Sequence, residues 1–226
     1  MFPLQLLTVF ASAALLVSAS PAFKDPCCDT SAAKLDLPSN QNALVTPTTA
    51  PLFVTLGVGV QNYTCNASTL TYTSIGAVAA LFDISCLDKT PVFAYIQTVA
   101  FEFWSALPAG LAATSIGSKM GAPGLLGFHY FVPSPTGTGI SPIWDFTSTG
   151  KFAGNSSAFV IGSKFGDIAA PTDSAKNVDW LELKNLQGSL ASKIFRIDTV
   201  NGQPPTSCAA GSADISIKYT AKYFLY

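Results

Sequence analysis

The clearest alternation of apolar and polar positions lies at the end of the chain. Ile215, Ile217, Tyr219, Ala221, Tyr223 and Leu225 alternate with Ser216, Lys218, Thr220 and Lys222, the period of a strand with one apolar face. The same period in Trp180-Leu181-Glu182-Leu183-Lys184 turns both leucines inward. Strands are also predicted over 125–132, 144–148, 158–165 and 190–200, with turns at Gly150, Gly154, Gly188 and across Gly202-Gln203-Pro204-Pro205. Residues 52–65 are apolar on both parities, as in a strand covered on both faces, and two short strands follow at 71–73 and 77–84. One segment has helical period instead. Thr90 can cap, Pro91 suits the first turn, and Val92, Ile96, Val99, Phe103 and Leu107 recur at helical spacing up to Pro108 and Gly110. Phe93, Phe101, Phe103 and Trp104 are expected to pack this helix onto the sheet. Residues 112–127 read as loop with a short helical turn, and 133–142 as a turn-rich loop. The fold class is therefore mainly β: an antiparallel β-sandwich or partly closed barrel with one inserted amphipathic helix, about 91–107.

Both ends of the pattern carry a compartment signal. The apolar run from Leu4 to Val17, closed by Val17-Ser18-Ala19, predicts a signal peptide over 1–19. It falls short of the about 20 residues a bilayer span needs, and no later segment reaches that length, so a released, extracellular or cell-wall protein without a membrane span is expected. Residues 20–51 form an extended, Pro-punctuated N-terminal arm, and 52–226 a single β-rich domain. Export would oxidise the cysteines at 27, 28, 65, 86 and 208. Adjacent Cys27 and Cys28 are poor partners for each other, so two bridges are expected among Cys27 or Cys28, Cys65, Cys86 and Cys208. Three sequons make Asn62, Asn66 and Asn155 candidate glycosylation sites. Asn62 shares a parity with Val54, Leu56, Val58 and Val60, so a bulge at Gly57 or Gly59, or an early exit from the core, is expected to free it.

Composition narrows the chemistry. Charged residues make up 11% of the chain, against an average of about 25%. Net charge is −1 and Arg196 is the only arginine, which argues against nucleic acid because phosphate binding needs clustered cations. One histidine and no Cys-x-x-Cys argue against a metal site. Gly57-Val58-Gly59 lacks the third glycine and following helix of a dinucleotide fingerprint, so no cofactor is expected. No serine-hydrolase pentapeptide occurs, and no carboxylate spacing argues for a glycosidase. The candidate ligand-binding residues are His129, Tyr130, Trp144, Asp145, Trp180 and Arg196, aromatic faces with a few polar groups as a sugar surface uses. The bland alternatives are core or rim aromatics, and an Arg196 paired with Asp198 or a carboxylate on a neighbouring strand.

An ordered set of landmarks adds a family. Leu81-Phe82-Asp83, Gly127-Phe128-His129-Tyr130, Trp144-Asp145, Asp179-Trp180-Leu181-Glu182-Leu183, Phe195-Arg196-Ile197-Asp198-Thr199, the run from Gly202 to Cys208 and that from Tyr219 to Tyr226 resemble, in this order, the secreted bacterial and fungal family called domain of unknown function 3455. The resemblance implies an extracellular β-rich protein. It also implies a Cys65–Cys208 bridge, with Cys86 left for Cys27 or Cys28. Fungal members often carry the label malate dehydrogenase, whose several substrate-binding arginines a chain with one arginine lacks. The expected function is non-catalytic binding of carbohydrate or another cell-wall component. The alternatives are an extracellular enzyme with a site around His129, Tyr130 and Asp145, and a purely structural wall protein. The sequence leans against catalysis and sets no oligomeric state.

Overall fold

The computed structural model describes residues 28–117 and 124–226; the signal-peptide segment and Cys27 lie outside them. Eight strands follow one another: β1 (Phe53–Asn66), β2 (Thr71–Asp83), β3 (Leu125–Pro133), β4 (Ile140–Asp145), β5 (Phe159–Ile168), β6 (Trp180–Gly188), β7 (Lys193–Asn201) and β8 (Ile215–Leu225). Each is antiparallel to the next, and β8 returns to β1 in a register that sets Thr55 opposite Tyr223. Of the two predicted architectures the chain adopts the barrel, and closes it completely. The two longest apolar runs sit at the two ends of the domain, so pairing them removes both sheet edges.

Pleat decides what lies inside. Phe53, Tyr219, Tyr223, Leu225, Trp144, Leu183 and Ile194 belong to the interior cluster, whereas Val54, Leu56, Val58, Phe195, Ile197 and Phe224 belong to a second cluster on the outer wall. Helix α1 (Ile96–Ala106), preceded by a 3-10 turn at Pro91–Ala94, covers that wall. Its Trp104 is fully buried and donates its indole N–H to the Gly59 carbonyl at 2.7 Å. The polar face of β8 is spent on the same contact. Thr220 donates to the Gln97 carbonyl at 2.7 Å, and Lys218 Nζ donates to the Trp104 and Leu107 carbonyls at 2.9 and 2.6 Å, satisfying the helix C-terminus. Lys222, also buried, pairs with Asp198 at 2.8 Å and lies over the Phe93 ring. The helical stripe read from sequence is thus rotated. Trp104 docks, Phe93 and Phe101 are half-buried, and Val99 and Phe103 remain about half exposed. Thr90 makes no cap; its hydroxyl donates to the Leu87 carbonyl.

This double coverage resolves the conflict at Asn62. No bulge forms at Gly57 or Gly59; the even positions of β1 face outward and are oily because the helix covers them, and Asn62 lies past that cover on the same face. The two glycines serve interior packing. A Cβ at Gly57 would lie 2.5 Å from the Tyr223 ring, and one at Gly59 2.1 Å from the Val78 carbonyl. The strands predicted at 71–73 and 77–84 are one strand. Asn62 pairs with Gly76 and Tyr63 with Ser74, so Ile75 is squeezed out, with Gly76 at φ +120°. The strand at Trp144 begins earlier than its pattern indicates, at Ile140, because Ser141 and Pro142 interrupt the apolar alternation.

Disulfides Cys28–Cys86 and Cys65–Cys208 join the arm to the barrel and β1 to the segment after β7. The arm itself buries Ala33, Leu35 and Leu44 against the outer cluster, reinforced by an Asp29–Lys89 pair at 2.9 Å.

Candidate functional site

The two ends of the barrel differ. At one end Phe53, Phe146 and Phe152 pack edge-on and stacked, with ring centroids 5.5 to 6.1 Å apart, and close the interior. At the other end strands β1 to β7, with the loops at Val178–Asp179 and Gln203, surround a cavity of about 460 Å³, within the roughly 300–1,000 Å³ of small-molecule sites. Gln61, Tyr63, Phe131, Ser141, Arg196 and Gln203 contribute its polar and aromatic lining, together with Lys164 and Asp179. Phe131, Pro142, Leu181, Leu183 and Arg196 continue into a recess of about 40 Å³ whose remaining walls are His129, Trp144 and Tyr223.

The rim is tied down. Tyr63 donates to the Gly202 carbonyl at 2.8 Å, Asn177 bridges to Gly202, and Cys65–Cys208 holds the following segment. Burial pushes the Tyr63 phenol up to about 12. At the floor, His129 is buried, stacks on Trp144 at 4.6 Å and 22°, and sets Nδ1 2.9 Å from the Ile143 carbonyl. A ring nitrogen facing a carbonyl must carry the proton, which leaves Nε2 as the acceptor. Burial holds the imidazole down to about 4, a neutral ring; the carbonyl opposes the shift and Arg196 adds to it.

Arg196 points inward from β7, between the outward-facing Phe195 and Ile197. Its Nε and Nη2 donate to the main-chain carbonyl of Asp179 at 3.1 and 2.9 Å, and it lies beside the Tyr223 hydroxyl. The expected carboxylate partner is absent among the described residues: Asp198 pairs with Lys222 instead. A buried donor near it also lacks an acceptor: Trp144 Nε1 has none, whereas the Gln61 amide reaches the Tyr219 hydroxyl, itself bonded to Tyr223 at 2.8 Å.

The other candidates lie elsewhere, for one reason: neighbours along a strand face opposite ways. Tyr130 and Asp145 meet each other, at 2.8 Å, but on the outer wall. Burial first, then the Asp145 contact, raises the Tyr130 phenol to about 12. The second Asp145 oxygen accepts from the Thr147 amide and hydroxyl at 2.8 and 2.6 Å, so this carboxylate is committed to local structure. Trp180 is buried in the outer cluster with Leu35 and Leu44. Hence His129, Trp144 and Arg196 share one cavity; Tyr130, Asp145 and Trp180 do not reach it. Sequence reasoning missed Gln61, Phe131, Ser141 and Gln203, which share no motif and are gathered only by barrel closure. Asn66 and Asn155 are exposed, and Asn62 is half-buried with its carbonyl oxygen accepting from Ser216 at 2.8 Å.

No helix among the described residues is long and apolar enough to cross a membrane. No curated protein and no solved structure matches the chain significantly. Residues 46–226, the whole barrel with the end of its arm, match the family described as "Protein of unknown function (DUF3455)", and the chain belongs to that family.

Proposed function

We propose that this is a secreted, non-catalytic binding protein that takes a carbohydrate unit of a cell wall or matrix into the open end of its barrel. The observation that carries the reading is the asymmetry of the interior. One end is sealed by phenylalanines, and the other widens into a cavity lined by rings, amides, hydroxyls and one guanidinium. Sugar C–H faces pack on aromatic rings such as Phe131, and sugar hydroxyls need the donors and acceptors that Gln61, Ser141 and Gln203 offer. Two disulfides and the solvated sequons Asn66 and Asn155 suit an exported glycoprotein. The enzymatic reading needs His129, Tyr130 and Asp145 in one site, and the pleat of β3 and β4 separates them.

A glycan array probed with the native protein and with Phe131→Ala, both checked for folding by circular dichroism, tests this. Binding of a defined glycan set, weakened at least tenfold in the variant, is expected. An array without signal, or binding indifferent to Phe131, would refute it.

A further inference from the structure

We propose that the barrel mouth selects a singly charged carboxylate, and that its ligand is an acidic sugar, a hexuronate unit, rather than a neutral one. This rests on the binding-site reading above and deepens it. Arg196 is half-buried at the junction of cavity and recess, yet no carboxylate of the described residues comes within ion-pair distance of it. Elsewhere this chain pairs its buried charges closely: Lys222 with Asp198 at 2.8 Å, and Glu182 with Lys193 at 3.2 Å. A partly desolvated cation left unpaired is costly, and in this position a ligand can reach it.

The guanidinium is also oriented for such a ligand. Its Nε and one Nη2 proton hold the Asp179 carbonyl, which fixes the plane. The Tyr223 hydroxyl takes a further guanidinium proton, and the Nη protons left over face the cavity as donors for the oxygens of a carboxylate. Trp144 Nε1, buried and without an acceptor, adds one more N–H group in the adjoining recess. Surplus donors call for a ligand rich in acceptors, and a sugar acid supplies carboxylate and ring oxygens together. His129, held neutral, adds no second charge at the floor.

The remaining lining charges limit the ligand to one negative charge. Lys164 at the rim is paired with Asp167 at 3.4 Å, and Asp179 brings a carboxylate of its own beside Tyr63. The Asp179 carboxylate partly offsets the guanidinium, so the mouth holds far too little positive charge for a phosphate dianion, and a monoanion held on the unpaired Arg196 is the most negative ligand it suits.

The test is isothermal titration calorimetry of the native protein with glucuronate, glucose and inorganic phosphate, repeated at raised salt and with Arg196→Gln and Arg196→Lys. The expected result is glucuronate at least tenfold tighter than glucose and than phosphate, weakening with salt. That preference should be abolished in Arg196→Gln and partly kept in Arg196→Lys. If Arg196→Gln does not fold, the salt series and the Arg196→Lys comparison decide alone. Glucose bound as tightly as glucuronate, or an unchanged preference in Arg196→Gln, overturns the anion assignment while leaving a sugar site. Phosphate bound more tightly than glucuronate overturns the carboxylate. No binding of either sugar, alongside an array without signal, sinks the binding-site reading itself.

Discussion

His129 links pH to stability through a single group, and the size of the link follows from its surroundings. In the folded chain the ring is buried between Trp144, Phe131 and Tyr223, with Nδ1–H on the Ile143 carbonyl, and its pKa is held down from 6.5 to about 4. The unfolded chain takes up a proton near 6.5 while the folded chain does not until about 4. Because the folded value is the lower one, the contribution is complete above pH 6.5 and is lost as pH falls toward 4. At 1.36 kcal/mol per pKa unit the total is about 3 kcal/mol, with a slope near 1.4 kcal/mol per pH unit inside that window. Urea unfolding of the native protein and of His129→Gln at half-unit steps from pH 7.5 to 3.5 measures it. Carboxylates titrating in the same range act on both proteins, so the difference between the two curves isolates the imidazole. As this is the only histidine in the chain, its ring proton resonances report the same value directly by NMR. A difference curve flat from pH 7 to 4, or a resonance titrating near 6.5, would refute the buried neutral tautomer.

Three further perturbations follow from the packing. Trp104→Ala removes a fully buried indole and its bond to Gly59, and should lower unfolding free energy by about 3–5 kcal/mol in urea melts. Replacing Cys65 and Cys208 by serine opens a loop with a separation of 143 residues; chain entropy puts the loss at about 5 kcal/mol, readable as a drop in urea midpoint. Asp198→Asn strands the buried Lys222 ammonium and should cost about 3–5 kcal/mol, whereas Lys222→Met, which removes the buried charge itself, should cost clearly less by the same measurement.

The local alternation of residues determined much of this protein. In β8 the inward Tyr219, Tyr223 and Leu225 and the outward Lys218, Thr220 and Lys222 are assigned correctly by period alone, since strand geometry gives successive side chains no other choice. The same rule shows that His129 and Trp144 cannot share a face with Tyr130 and Asp145, although proximity along the chain invites grouping them. What alternation leaves open is which face is wet. The outward positions of β1 are as apolar as a core, and the outward lysines of β8 look solvated, because neither strand carries a record of the helix that covers both. Whether the strands form a sandwich or close depends on β1 meeting β8 across most of the domain, a contact no local window contains. The candidate site has the same origin. Arg196 and His129 stand out as single residues of their kind, yet Gln61, Phe131 and Gln203 join them only when closure brings seven strands and two loops to one mouth, and only closure leaves the guanidinium there without a carboxylate partner.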